Sequence, residues 1–220
     1  MQGLRATFDH EFQAICEDLV LMSQKVDWAI ENSLKALMDG DMDLAESIRK
    51  KDEDVNQLRF KIEEACVVAI ATQQPAAGDL RAVIAAMHIV TEMERMGDHA
   101  AGIAKTVILM HKTPGFKSIK KIPKMVEISR QMLQDSIQAF IKRDTNWARE
   151  IAAMDSQMDE LYKDLFDRLI KIMAKKPQTI PRATYLMWTG HNLERIADRV
   201  TNIAEQVVFM TTGDLSELQA

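Results

Sequence analysis

Glycine, proline and aromatic residues are scarce in this chain. Its 220 residues hold eight glycines and five prolines, and aromatics make up only 5%. A chain so poor in turn and strand formers, and rich in helix formers, does not build a sheet protein. There are two cysteines, Cys16 and Cys66, and no Cys-x-x-Cys. That excludes a dense disulfide framework; both fall in apolar helical pattern and read as buried free thiols. No uninterrupted apolar run is long enough to span a bilayer, so direct membrane insertion is not expected. The first residues, with Asp9 and Glu11, have no apolar core of a signal peptide. The net charge of −5 supplies no basic field for non-specific nucleic-acid binding. A reducing, cytoplasmic setting follows as the default. There is also no Glu-x-x-His, no glycine-rich phosphate loop and no Walker lysine. These absences weigh against a ferritin-like di-iron oxidase, a P-loop enzyme and a nucleophilic hydrolase.

What the chain does have is helical periodicity. Phe8, Phe12, Ile15, Leu19, Met22 and Val26 step by four and three residues, the seam of a long packed helix. That helix is expected to end near Met38, with Asp41 placed to cap the next one. A second helix should run to about Thr72, before Pro75, and a third from about Asp79 to His111. The fifteen methionines read as adaptable core filler.

The plan then repeats. "SLKALMDGDMDLAESIRKKD" from Ser33 matches "SIQAFIKRDTNWAREIAAMD" from Ser136, pairing Asp41 with Asp144, Ala45 with Ala148 and Asp52 with Asp155. "EMERMGDHAAGIA" from Glu92 finds its counterpart in "NLERIADRVTNIA" from Asn192. The fold expected is all-α, with six helices in two tandem antiparallel three-helix bundles related by a pseudo-twofold axis. Residues 1–112 form the first bundle, 113–122 the linker and 123–220 the second bundle.

Each third helix carries a carboxylate pair four residues apart, Glu94 with Asp98 and Glu194 with Asp198. That spacing stacks two like charges on one face, which is mildly destabilising unless something offsets the repulsion. The preceding helix of the second half offers Asp155 and Asp159, and the aligned first-half positions are Asp52 and Asn56. Clustered oxygen donors of this kind suit magnesium, calcium or manganese, and also iron or zinc, with more than one ion per site. His191, three residues before Glu194, can share that face. The other reading is of ordinary surface acids paired with Arg95 and Arg195, the latter within reach of Asp198.

"QQPAAGDLR" from Gln73, "ERMGDHAAGIA" and "ERIADRVTNIAE" together resemble the PhoU family over nearly the whole chain. The resemblance implies two three-helix bundles with multinuclear metal clusters on their surfaces. By position the metal residues would be Glu94, Asp98, Glu194 and Asp198, supported by Asp155, Asp159 and Asp52. It also implies a cytoplasmic negative regulator of phosphate uptake and of the phosphate regulon. By that resemblance such a protein is not an enzyme and works as an adaptor between the ATP-binding subunit of a phosphate ABC transporter and a sensor histidine kinase. A homodimer is expected as well. The competing readings are a metal-dependent helical-bundle enzyme acting on phosphate esters through activated water, and a purely structural helical scaffold.

Overall fold

The computed structural model describes residues 2–111, 113 and 120–214. Three long helices form the first half: α1 (Gln2–Asp39), α2 (Met42–Gln73) and α3 (Gly78–Met110). The second half holds α4 (Lys121–Lys142), α5 (Thr145–Ala153), α6 (Asp155–Lys175) and α7 (Ile180–Thr212), with a short 3₁₀ turn at Pro177–Thr179 before α7. Every described regular element is helical, as composition required. The expected six rods are present, but the middle rod of the second half is broken at Met154 into α5 and α6. No proline or glycine marks the break. Ser156 Oγ donates to the Ala153 carbonyl at 2.9 Å, satisfying an acceptor freed by the interruption.

The helix ends follow local chemistry. Asp41 accepts from the Leu44 N–H at 2.9 Å, and Asp144 caps α5 by accepting from Asn146 and Trp147. Gln74 turns left-handed (φ 48) to end α2, its N–H reaching the Ile70 carbonyl, and Pro75 prevents continuation. Most of the expected linker, residues 113–122, lies outside the described residues. Its last two positions are already helical, because Pro123 is tolerated in the first turn of α4 where its missing N–H has no partner to lose.

The α1 seam is buried: Ile15 is 1% exposed, and Leu19, Met22 and Val26 are 0% exposed. Cys16 and Cys66 are buried free thiols, and burial pushes Cys66 up to about 12, so neither is a reactive thiolate at neutral pH. α3 and α7 form the centre of the molecule. Each packs within its own bundle and the two pack most extensively against each other, antiparallel; α1 also meets α4. α2 and α6 touch only their own halves and form the outer flanks.

The halves are related as the repeat demands. Glu92 on α3 contacts Arg199 and Asn202 on α7, while Asn192, the counterpart of Glu92, meets His99 and Gly102 on α3. At Gly102 an added Cβ would lie 3.1 Å from Asn192 Oδ1, so the missing side chain lets the two helices approach. On the other shared face, Arg130 of α4 makes a two-pronged bond to its own counterpart, Asp27 of α1, at 2.7 and 2.9 Å. A residue pair that is equivalent in the repeats and touches across the junction marks the pseudo-twofold axis.

Candidate functional site: two acidic faces

The carboxylates occupy the junction between the flank helix and the central helix of each half. In the second half α6 begins at Asp155, immediately after the break, and Asp159 follows one turn on. α7 supplies Glu194 and Asp198 from the facing surface. The other three all act on Asp155. Burial first, then Asp159, Asp198 and Glu194, push Asp155 up to about 6. Glu194 is raised too, by burial and by Asp198, against the opposing pull of Arg195 and His191. Arg195 Nη1 lies 2.8 Å from Asp198 Oδ2, the pairing anticipated from their three-residue spacing. His191 Nδ1 stands 3.3 Å from Glu194 Oε2, on the edge of the acidic face. Glu194 Oε2 also lies 3.1 Å from Arg195 Nε, so only Asp155 Oδ1 among these oxygens is buried without a hydrogen-bond or ion-pair partner. Buried polar atoms ordinarily find partners, so this orphan fits a site built for a cation.

The first half brings together Asp52 on α2 with Glu94 and Asp98 on α3. Burial, then Asp98 and Glu94, raise Asp52 to about 6. Here too the charge is partly answered from within. Arg59 donates Nε to Glu63 at 2.9 Å and Nη1 to Glu94 at 3.0 Å. Sequence reasoning did not pick out Arg59. Its counterpart in the second half is Tyr162, raised by burial and Glu194, so the two acidic faces differ at this position. With Asn56 in place of a fourth carboxylate, the first face carries less uncompensated negative charge. Arg95, considered beforehand as a partner for the motif acids, turns instead to Glu92 at 2.9 Å. Among the described residues no group of three or more His, Cys, Asp or Glu side chains is gathered into a ready cage for an ion.

Glu92, Asn192, Arg199 and Asn202 were not singled out by motif spacing. Glu92 accepts from Arg95, Arg199 and Asn202, and His99 shares a 3.0 Å hydrogen bond with Asn192. Burial lowers His99 despite that bond. This polar seam joins α3 to α7.

The raised carboxyls fix a pH dependence. Asp52 and Asp155 have folded values of about 6 against a usual 3.8. The folded state therefore binds more protons than the unfolded state between those values. Stability is greatest below about pH 4 for these two groups and is lost as pH rises through about 6. Both groups are partly solvated, so after screening the loss is about 1 kcal/mol each, or about 2–4 °C in Tm per group. Thermal melts of the chelated protein at pH 5 and pH 8 should show it, and Asp52→Asn/Asp155→Asn should flatten the slope. A steeper rather than flatter slope in that double variant would contradict this assignment.

The chain was compared with known proteins. The PhoU domain family model matches residues 19–107 and 122–207, one copy in each half. A phosphate-specific transport system accessory protein PhoU homolog of Streptococcus pneumoniae is 37% identical over 216 residues, covering 98% of this chain and 100% of that protein. The homolog of Clostridium acetobutylicum is 32% identical over 215 residues, covering 97% and 98%. The crystal structure of the phosphate transport system regulatory protein PhoU from Streptococcus pneumoniae superposes with a TM-score of 0.89 at 34% identity, covering 95% of this chain and 99% of that one. PhoU from Pseudomonas aeruginosa also gives 0.89, at 31% identity, covering 94% and 100%. With a matching model in both halves and full-length relatives of the same fold, the chain belongs to the PhoU family.

Proposed function

We propose that the protein is a cytoplasmic negative regulator of phosphate uptake and of the phosphate regulon. It acts as an adaptor, without turnover, between the ATP-binding subunit of a phosphate ABC transporter and a sensor histidine kinase. The relatives' names, accessory and regulatory proteins of a phosphate transport system, support this over the full chain length. No described helix is long and apolar enough to cross a membrane, which fits a partner docking on membrane machinery. The observation that carries the adaptor reading is the pair of acidic faces. One sits at the flank of each bundle, each with a half-buried carboxyl raised to about 6.

Multivalent metal ions, in multinuclear sites of iron, zinc, manganese or magnesium, are part of the proposal. Asp155, Asp159, Glu194 and Asp198 would hold them in the second half, with His191 at the edge. Asp52, Glu94 and Asp98 would do so in the first half, with Asn56 as a neutral oxygen donor. Bound there, the ions supply positive charge and open coordination positions for phosphate oxygens or a partner's acidic groups. The protein's own part is to orient the carboxylates from two rigid helices and to keep Arg59 and Arg195 beside them as counter-charges. We also infer a homodimer, for which exposed Phe60, Val67 and Val68 on α2 offer an apolar face.

The test is alkaline phosphatase output in a strain lacking this gene, grown in excess phosphate. Output should be high, and the wild-type gene should restore repression. Output that stays repressed, in a strain with no second copy, contradicts the regulatory reading.

A further inference from the structure

The first half contains a cavity at which the second half carries larger residues at three lining positions. It opens between α1, α2 and α3, with a volume of about 280 Å³, and its apolar walls are Leu21, Trp28, Ala29, Ile48 and Val55, with Gly97 at the base. The repeat shows why it is empty. Ala29, Val55 and Gly97 correspond to Met132, Met158 and Ala197, all three 0% exposed. At each of these positions the first half has the smaller residue. A methyl group on Gly97 would lie 3.1 Å from Asp52 Oδ1 and 3.4 Å from Val55 Cγ1, so the glycine keeps the base of the cavity clear. Removing this much side chain from a packed junction sacrifices dispersion contacts, a cost that a resident group from outside would offset.

The polar groups around the cavity specify that group. Lys25 is paired with Asp54 at 2.9 Å, and Lys51 Nζ sits 4.1 Å over the Trp28 ring. Both cations are thus already engaged. Asp52 also lines the cavity, and among the described residues it has no ion-pair partner. A ligand with an apolar stem and a cationic end matches this arrangement. Two turns along α2, the chain shows how it satisfies the neighbouring acids: Arg59 reaches Glu63 and Glu94 with one guanidinium. A guanidinium is less strongly hydrated than an ammonium and forks onto a carboxylate, so it enters a half-buried apolar cleft at lower cost.

We propose that this cavity receives an arginine side chain presented by a partner protein, its stem against Leu21, Ile48 and Val55 and its guanidinium on Asp52. Its lining is not repeated in the second half, where Met132, Met158 and Ala197 stand at three of the positions, so it gives the pseudo-symmetric molecule a single orientation toward that partner. It shares Asp52 with the first acidic face and needs no metal there.

The probe is N-acetyl-arginine methylamide, with the citrulline analogue as its neutral isostere. Both are titrated into the full chain in the presence of chelator while the Trp28 indole N–H is followed by NMR. The arginine compound should shift that resonance saturably and bind about tenfold more tightly than the citrulline compound, the value of one charge-assisted contact. Val55→Met, which borrows the residue of the second half, should abolish the shift. Asp52→Asn, which leaves the volume unchanged, should erase the preference for arginine. No saturable shift, equal binding of the two compounds, or a Val55→Met protein that responds like wild type would each overturn the proposal. Because chelator is present throughout, these outcomes are independent of whether the acidic faces bind metal.

Discussion

Glu92→Met should be the most destabilising single change in the polar seam between the bundles, by about 2–3 kcal/mol. The Glu92 side chain is only 12% exposed and accepts from three donors: Arg95 at 2.9 Å, Arg199 at 3.2 Å and Asn202 at 3.1 Å. Removing it leaves the Arg199 guanidinium, 22% exposed, without its counter-charge at the α3–α7 contact. The cost of breaking a fully buried pair runs to about 3–5 kcal/mol, and the partial exposure here reduces it. Tm should fall by about 4–12 °C. Arg199→Met alone should cost about 1 kcal/mol, since Glu92 keeps Arg95 and Asn202. The double variant should be more stable than Glu92→Met, because the stranded charge is gone. Additive losses in that cycle would show that the two residues are not coupled.

The bundles were legible in the sequence because their signals are local and repeated. The four-three stepping of Phe8 to Val26, the capping aspartates 41 and 144, and Pro75 each act within a turn or two of chain. The duplication was legible because equivalent burial demands equivalent residues. The break at Met154 was not, since no proline or glycine announces it. The motif acids could be named because a four-residue spacing places them on one face of one helix. Arg59 could not be foreseen in its role: its partner Glu94 is 35 residues away, and only the packing of α2 on α3 brings them together. The same holds for Glu92 and Asn192, whose partners lie on the other bundle. The first-half cavity is a subtler case. Ala29, Val55 and Gly97 are unremarkable one at a time, and they acquire meaning only when set against Met132, Met158 and Ala197.

The largest expected effect of all concerns the acidic faces themselves. Alanine at Glu94, Asp98, Glu194 and Asp198 together should remove bound metal completely while the helices persist, because all four side chains are at the rim of the core rather than within it. The two halves should contribute unequally. The second face has four carboxylates and one buried oxygen, Asp155 Oδ1, with no partner. The first has Asn56 in place of a carboxylate and Arg59 bonded to Glu94. Hard cations favour the site with more anionic oxygens, so Glu194→Ala/Asp198→Ala should lose the larger share and Glu94→Ala/Asp98→Ala the smaller. Plasma mass spectrometry on the wild type and these variants, each stripped with chelator, reloaded with manganese or iron and desalted, measures this directly. Metal retained by the wild type and absent from the helical quadruple variant is the predicted result. Equal metal in both, or none in the wild type, would contradict the assignment of the repeated motif as a metal site and leave its acids as surface charges held by arginine.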